Sequence, residues 1–176
     1  MEKLVRTGLL IMAAVVSAFL LYKVSIYKLD SFRGVQETPT ITAEQRERQL
    51  ECLARNIYHE AGHEPFEGKV AVAQVTMNRA ESGKFPSDLC RVVYQKNVVM
   101  EKVVCQFSWY CDSGPKTRPI HEGTYKECYT VAQKVLLEGF RLPSLNDAMY
   151  YHADYVNPKW GKEKITQIGR HIFYKG

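Results

Sequence analysis

The feature that most constrains this chain is an uncharged apolar segment, Thr7–Tyr22, close to its start. Lys3 and Arg6 precede the segment, and Val16–Ala18 offers the small residues of a signal-peptidase cleavage site. Its 16 residues fall short of the roughly 20 that cross a bilayer comfortably. The four residues that follow Lys23 could extend it as a signal anchor. The segment therefore predicts either an uncleaved anchor or a cleaved signal peptide, with export of the rest.

The chain is predicted to have three parts. Residues 1–29 form the signal anchor or signal peptide, and residues 30–42 form a polar linker that contains Gly34 and Pro39. Residues 43–176 form the folded domain. An anchor would hold this domain on the periplasmic or extracytoplasmic side of the membrane, whereas cleavage would secrete it.

The composition is that of a globular protein, with 45% hydrophobic and 24% charged residues, and this excludes extensive disorder. The net charge is +5. Residues 1–42 hold five basic and three acidic residues, so the domain keeps 19 basic and 16 acidic ones, or +3. A modest positive charge suits an anionic wall polymer and disfavours nucleic acid as the main partner. We expect a monomer.

Apolar residues spaced three and four apart predict helices, with Thr42 as the N-cap of the first. The second helix is apolar nearly all round, which predicts a buried position. Segments rich in valine and aromatic residues predict short strands or a hairpin. The predicted helices are 43–60, 66–81, 89–95 (with Ser87 as cap) and 125–138, and the extended segments lie within 96–112, 148–155 and 165–174. The expected fold is α+β and mainly helical, with a small β element.

The sequence contains a literal H-E-x-x-H motif made by His59, Glu60 and His63. On a continuous helix two such histidines share a face and bind zinc, and the glutamate is the general base of a metalloprotease. Gly62 lies between the histidines and Pro65 follows them, and both residues disfavour a continuous helix. A zinc-dependent peptidase is therefore kept as the alternative hypothesis.

Glu60 also fits a different chemistry, because it lies at the C-terminal end of a predicted apolar helix. Desolvation raises the pKa of a carboxyl group, so that it can protonate a glycosidic oxygen. This predicts the acid of a glycosidase. Glu64 and Glu67 are weaker candidates for a second carboxylate, since acidic residues near a helix start are common for electrostatic reasons.

A series of short motifs follows in order through residues 50–174. They are L-A-R at 53–55, E-A at 60–61, E-P-F-E-G-K-V-A-V-A at 64–73, V-T-M-N-R at 75–79, F-P at 85–86, V-V-Y-Q at 92–95, Q-F-S at 106–108, M-Y-Y-H at 149–152, P-K-W at 158–160 and I-G-R-H-I-F-Y at 168–174. In this order the chain resembles the SleB-type cell-wall hydrolases, the spore-cortex-lytic enzyme family. That family's pattern around the acid is Tyr-Gly-Glu-Ala-Arg-Gly-Glu-Pro. This chain departs from it with His59 for the first glycine and Gly62-His63 for Arg-Gly.

The resemblance implies a peptidoglycan glycosidase with a lysozyme-like or lytic-transglycosylase-like core, whose catalytic acid corresponds to Glu60. Cleavage would fall between N-acetylmuramic acid and N-acetylglucosamine. Attack by the muramic 6-hydroxyl would give 1,6-anhydro products, and attack by water would make the enzyme a muramidase. No cofactor or metal is required. Substrate contacts are expected from Gln106, Phe107, Ser108, Tyr151, His152 and Trp160.

The biological setting stays open at this point. A phage lysis enzyme (an endolysin) with a signal anchor would have this small layout, and a bacterial cell-wall or germination hydrolase would fit equally well. A catalytically silent wall-binding module that keeps the fold is a third hypothesis beside the glycosidase and the zinc peptidase.

The five cysteines are an odd number, so at least one is free or pairs between chains. Cys105 and Cys111 could form a disulfide in an oxidising compartment. Cys52, Cys90 and Cys128 fall on predicted helices and could be buried and reduced. The spacing does not determine the pairing, and it leaves room for at most two disulfides.

Overall fold

A computed structural model describes residues 2–33, 41–112, 114 and 118–176. Its contacts divide the chain into two units, 1–41 and 42–176. The first unit contains helix α1 (Glu2–Arg33), within which Val5–Leu29 is long and apolar enough to cross a membrane. A signal sequence has the same properties, so the choice between anchor and signal peptide remains a prediction.

The predicted linker starts too early at residue 30. Helix α1 continues through Arg33, because the sequence contains neither glycine nor proline between Lys28 and Gly34 to end it. The remainder of the predicted linker, including Pro39, lies at residues 34–40 outside the described residues, and Ile41 precedes the second unit.

The second unit contains five main helices and five strands among the described residues. The helices are α2 (Ala43–Ala61), α3 (Phe66–Glu81), α4 (Leu89–Val93), α5 (Ser108–Cys111) and α6 (Glu122–Leu136), with a 3₁₀ turn at Pro143–Leu145. The strands are β1 (Lys96–Val99), β2 (Lys102–Cys105), β3 (Ala148–Ala153), β4 (Lys164–Ile168) and β5 (His171–Lys175). Strands β1 and β2 form a hairpin, and the other three form an antiparallel sheet in the order β3-β5-β4. The prediction of an α+β, mainly helical domain is confirmed.

Local capping explains where the helices start. The Thr42 side chain accepts a hydrogen bond from the Gln45 backbone N–H and the Gln45 side chain accepts one from the Thr42 N–H, a capping box. The cap of α4 is Asp88 and not Ser87 as predicted, since the Asp88 carboxylate accepts from the Arg91 backbone N–H. Helix α4 also ends at Val93, two residues before the predicted end.

The segment after β2 was expected to be extended because it is rich in aromatic residues. Residues 108–111 instead form the short helix α5, which buries Trp109. Tertiary packing overrides β-propensity here, since Trp109 joins the buried residues Val92, Val93 and Phe107 in one apolar cluster.

Helix α3 is the central element, and almost all of its residues are buried. Its buried polar side chains are satisfied by the chain between α6 and β3. The Gln74 side chain donates a hydrogen bond to the Leu142 carbonyl and accepts one from the Leu142 backbone N–H. The Asn78 side chain donates to the carbonyls of Leu145 and Ala148, both at 2.8 Å. A buried polar group without a partner costs about 1–3 kcal/mol, so these bonds specify where β3 begins.

Two disulfides staple the second unit. Cys52–Cys90 joins α2 to α4, and Cys105–Cys111 joins β2 to α5. Cys52 and Cys90 are therefore bonded rather than reduced, because the packing of α4 on α2 brings their Cα atoms to 5.2 Å. Cys128 is buried on α6 and has no disulfide partner within the described residues.

Candidate active site

The last turn of α2 borders a cleft of about 360 Å³. Glu60 contributes its carboxyl group from the helix end, and α5, β3 and β5 supply most of the remaining wall. Its lining residues are His59, Glu60, Ser108, Trp109, Asp112, Tyr151, His152, Ala153, Tyr155 and His171. The cleft therefore lies where the helical part of the second unit meets the three-stranded sheet.

Burial dominates the electrostatics of Glu60. Desolvation raises the pKa of its carboxyl group above the ordinary value, and this outweighs two opposing effects. The Tyr151 hydroxyl donates a 2.9 Å hydrogen bond to Glu60 Oε2, and the Arg79 guanidinium attracts the carboxylate. Both lower the pKa in part. The result is a buried carboxyl group that holds its proton to higher pH than an exposed glutamate does.

Tyr151 reaches Glu60 because α3 holds the start of β3. Arg79 on α3 is 4% exposed, and its Nε donates a 2.8 Å hydrogen bond to the Met149 carbonyl. Asn78 holds the neighbouring Ala148 carbonyl. The Tyr151 ring then packs edge-on against His171 with 5.2 Å between ring centroids. The hydroxyl is thus positioned by α3 and β5 rather than by contacts within β3.

Trp109 forms another part of the cleft wall. Its Nε1 donates a 3.0 Å hydrogen bond to Oδ1 of the fully buried Asn56, whose Nδ2 donates to Thr76. The His59 ring stacks on Trp109 with 4.2 Å between centroids and 16° between planes. Burial, and secondarily the nearby Arg55, lowers the pKa of His59 below its ordinary value, which favours the neutral imidazole.

The H-E-x-x-H motif does not lie on one helix. Helix α2 ends at Ala61 and Gly62 caps it, so His63 falls in the turn beyond and does not line the Glu60 cleft. Within residues 2–33, 41–112, 114 and 118–176, no three His, Cys, Asp or Glu side chains are grouped so that they could hold a metal ion. The local geometry of the zinc motif is therefore lost at the helix end.

Three of the six expected substrate contacts line the cleft: Ser108, Tyr151 and His152. His152 is also held by its neighbours, since its Nε2 lies 2.8 Å from the Tyr174 hydroxyl and its Nδ1 lies 2.8 Å from the Ala153 carbonyl oxygen.

The other three expected contacts lie elsewhere. Phe107 is 3% exposed and packs in the core, which corrects the expectation that it walls the cleft. The Gln106 amide oxygen, in its hydrogen-bonded orientation, accepts from Arg79 at 3.2 and 3.3 Å. Trp160 is 45% exposed and does not itself line the cleft, but it packs edge-on against the cleft residue His152 and against Tyr174.

Sequence reasoning missed Asp112 and His171 as cleft residues. Neither carries a local signal, because α5 and the β4–β5 turn bring them there from distant parts of the chain. His171 is 8% exposed, and its Nδ1 has no hydrogen-bond partner within the described residues. The carboxylates of Glu64 and Glu67, which the sequence offered as second acids, do not line the cleft.

Comparison with known families identifies the class of protein. The cell wall hydrolase family matches residues 63–174, which is most of the second unit. The chain therefore belongs to the cell wall hydrolase family. Because this match begins three residues after Glu60, it leaves the role of Glu60 to the geometry.

The similar proteins are spore cortex-lytic enzymes. That of Oceanobacillus iheyensis is 29% identical over 142 residues, covering 78% of this chain and 46% of the relative. That of Bacillus subtilis is 28% identical over 128 residues, covering 70% of this chain and 36% of the relative. The chain thus spans less than half the length of these curated relatives.

The solved structures with this fold are catalytic domains. The chain resembles the catalytic domain of the Bacillus cereus SleB protein with a TM-score of 0.55 and 27% identity, covering 81% of this chain and 98% of that one. It resembles the catalytic domain of the germination-specific lytic transglycosylase SleB from Bacillus anthracis with a TM-score of 0.54 and 27% identity, covering 78% and 100%. The SleB-type resemblance that the motifs carry is confirmed.

Proposed function

We propose that this protein cleaves the glycan strand of peptidoglycan between N-acetylmuramic acid and N-acetylglucosamine, as a lytic transglycosylase. The observation that carries the proposal is the desolvated carboxyl group of the half-buried Glu60, with its raised pKa, at the wall of an open cleft. Family membership and the SleB catalytic domains, one of them described as a lytic transglycosylase, support the same reaction.

In the first half of the reaction Glu60 is the general acid. Its proton passes to the glycosidic oxygen, the bond to the muramic C1 breaks, and positive charge develops at C1 and the ring oxygen. Because Oε2 accepts the Tyr151 hydroxyl, Oε1 is the oxygen available to carry the transferable proton. Tyr151 and Arg79 then stabilise the carboxylate that results.

In the second half Glu60 is the general base. The muramic 6-hydroxyl attacks C1, its proton passes to the Glu60 carboxylate, and the 1,6-anhydro product forms with the enzyme restored. No protein nucleophile is needed, since the substrate supplies the attacking oxygen. A single acid in a low-dielectric cleft is sufficient for this chemistry, because the same group gives and takes the proton.

Hydrolysis is the second candidate, and Asp112 is the observation that favours it. Asp112 lines the same cleft as Glu60, and a second carboxylate can activate a water for attack at C1. The enzyme would then be a muramidase with reducing products. Replacing Asp112 by asparagine separates the two reactions, because only the hydrolytic one needs its carboxylate.

Product mass is the decisive experiment. The full chain, purified in detergent, is incubated with peptidoglycan sacculi, and the released fragments are analysed by mass spectrometry. Anhydromuropeptides support the transglycosylase, and reducing muropeptides that disappear with Asp112→Asn support the muramidase. Cut stem peptides would instead indicate the zinc peptidase, and binding to sacculi without any release would indicate a silent wall-binding module.

We further propose that α1 anchors the enzyme in the membrane with the second unit on the extracytoplasmic side. The support is the apolar stretch Val5–Leu29 together with a substrate that lies outside the cytoplasm. Membrane fractionation and N-terminal sequencing test this, since a mature protein that starts at Phe19, after the Val16–Ala18 site, would contradict the anchor. Rapid lysis of an expressing bacterium would favour a lysis enzyme over a germination hydrolase.

A further inference from the structure

We propose that a second pocket beside the Glu60 cleft binds a carboxylate of the peptide stem attached to muramic acid. This inference rests on the proposed function, because it names the part of that substrate which the pocket takes. The pocket has a volume of about 320 Å³ and is called the basic pocket below. It is lined chiefly by Arg55, His59, Tyr94, Trp109, Tyr110 and Arg118.

The basic pocket adjoins the catalytic cleft. His59 and Trp109 line both cavities, and their stacked rings form the wall that the cavities share. Trp109 is 5% exposed and is fixed by its hydrogen bond to Asn56. When the scissile bond of a glycan strand lies at Glu60, the basic pocket is therefore next to that strand, on the other side of the stacked His59 and Trp109 rings.

The charge of the pocket selects an anion. Arg55 and Arg118 both line it, no acidic side chain lines it, and neither arginine has a salt-bridge partner within the part of the chain that the structure describes. Glu51, one turn before Arg55 on α2, makes no salt bridge with it among the described residues. Arginine binds carboxylates through two parallel hydrogen bonds, so two unpaired guanidinium groups in one pocket favour such a ligand.

The remaining wall is aromatic. The rings of Tyr94 and Tyr110 lie 4.8 Å apart, and Trp109 packs edge-on against both at 6.0 and 5.9 Å. Such a wall suits the short aliphatic side chains of a stem peptide. A neutral acetamido sugar would leave the two guanidinium charges without an anion.

His59, which lines the basic pocket, is one of the residues at which this chain departs from the family's sequence pattern. The pattern has glycine where this chain has His59, and glycine has no side chain that could stack on Trp109. The shared wall therefore depends on a residue that departs from the pattern.

The test compares two forms of one substrate. Purified glycan strands that carry their peptide stems are compared with the same strands after an amidase has removed the stems, and both are freed of phosphate-containing wall polymers beforehand. The full chain in detergent is assayed as wild type, Arg55→Gln, Arg118→Gln and the double variant. Arg91→Gln is the matched control, because Arg91 is an exposed arginine on α4 that does not line the basic pocket.

We expect the wild type to have a KM about tenfold lower for strands with stems, since a charge-assisted hydrogen bond contributes on the order of one tenfold step in affinity. The double variant should lose this difference, with kcat and the KM for bare strands unchanged. Arg55→Lys and Arg118→Lys should keep part of the preference for strands with stems. Lysine keeps the positive charge but lacks the planar guanidinium group that makes two parallel hydrogen bonds to a carboxylate. Equal KM values for both substrates in the wild type would overturn the inference.

A source other than the stem is tested in the same assay. If the preference appears only when phosphate-containing polymers are left on the strands, the anion is a phosphate and the stem assignment is wrong.

A binding measurement keeps this inference separate from the reaction. Titration of the Glu60→Gln protein with a soluble muramyl peptide should give saturable binding that weakens about tenfold or more in the double arginine background. If the wild type cleaves neither substrate while this binding persists, the proposed function fails and the pocket assignment stands. If bare strands are cleaved but no muramyl peptide binds, the function stands and the pocket assignment is wrong.

Discussion

Glu60 and Glu64 lie four residues apart and have opposite surroundings. Glu60 faces the cleft, is desolvated, and accepts a hydroxyl hydrogen bond from Tyr151. Glu64 lies in the turn before α3 and accepts a 3.1 Å hydrogen bond from the Arg170 backbone N–H in the β4–β5 turn. Its carboxylate presses so closely on Gly169 that a Cβ there would lie 1.9 Å from Oε2.

The difference shows that the role of a carboxyl group is decided by its surroundings. Around Glu60 desolvation outweighs the hydrogen bond and the nearby guanidinium, so the neutral, proton-donating form is favoured. The Glu64 carboxylate instead accepts a hydrogen bond from the Arg170 backbone N–H, and this contact holds the β4–β5 turn against the junction between α2 and α3. One glutamate is suited to proton transfer, and the other fastens the sheet that carries Tyr151.

The largest expected effect is on activity. Glu60→Gln removes the proton that the reaction transfers, so the rate of strand cleavage should fall at least about 10³-fold. Glu67→Gln is the control, since it makes the same change at an exposed carboxyl in the first turn of α3 and should leave the rate within about twofold. Release of muropeptides from sacculi measures both. Activity retained in Glu60→Gln would remove Glu60 from the mechanism.

The next effect is on stability. Gly169 has φ +55°, so Gly169→Ala adds left-handed strain of about 1 kcal/mol and also displaces the Glu64 carboxylate, for a total loss of about 2–3 kcal/mol. In a protein that already carries Glu64→Ala, the further loss of stability caused by Gly169→Ala should fall to about 1 kcal/mol, because only the left-handed strain remains. Gly139→Ala is the control, because Gly139 has φ +69° and a Cβ added there would meet no atom within 4 Å. Urea unfolding followed by tryptophan fluorescence measures each loss, and strictly additive losses would contradict the Glu64 contact.

Tyr151→Phe should have a smaller effect, a fall of about tenfold in kcat. The Tyr151 hydroxyl lowers the pKa of Glu60, so its removal raises that pKa further and moves the alkaline limb of the pH–rate profile to higher pH. Tyr150→Phe is the control at the neighbouring position, which faces Trp160 rather than Glu60. A shift of the alkaline limb to lower pH would show that the hydroxyl does not stabilise the carboxylate.

A modest gain in stability should accompany the loss of activity in Glu60→Gln. The folded protein has a raised Glu60 pKa, so ionisation of this group costs stability as pH rises above the unfolded value near 4.5. Glutamine removes that cost. Its melting temperature should exceed that of the wild type at pH 7, and the gap should close as pH falls below about 4.5. A gap independent of pH would mean that Glu60 is not the titrating group.

The smallest effect concerns the zinc alternative. His63→Ala and treatment with a chelator should each leave cleavage within about twofold of the untreated wild type, because His63 lies beyond the end of α2 and outside the cleft. Inhibition by chelator that zinc reverses would instead establish the metallopeptidase.

Much of the architecture could be predicted from local patterns. Thr42 with Gln45 marks the start of α2, and the bounds of α3 follow from Pro65 and the residues after Glu81. Glu60 could be singled out because it lies in the last turn of a helix that has one apolar face. Local signals suffice at these points, since helix capping and periodicity depend on residues within one or two turns.

Other features depend on residues far apart in the chain. Phe107 could be recognised as apolar, but only the packing of α4 and α5 decides that it faces the core and not the cleft. Asp112 enters the cleft because the Asn56–Trp109 hydrogen bond holds α5 beside α2, while the Cys105–Cys111 disulfide ties α5 to β2. The Cys52–Cys90 pair likewise follows from the packing of α4 on α2.

By itself the sequence determined an apolar N-terminal segment, a mainly helical domain of the SleB type, and one glutamate at a helix end as the first candidate acid. Only the tertiary structure decided that the Glu60 carboxyl group is desolvated and has a raised pKa, because the fold packs residues from distant parts of the chain around it, such as Tyr151, 91 residues later. Helix formation is governed by neighbours along the chain, whereas desolvation is governed by whatever the fold packs around a group. The same residue type four positions on, Glu64, became a structural acceptor for that reason.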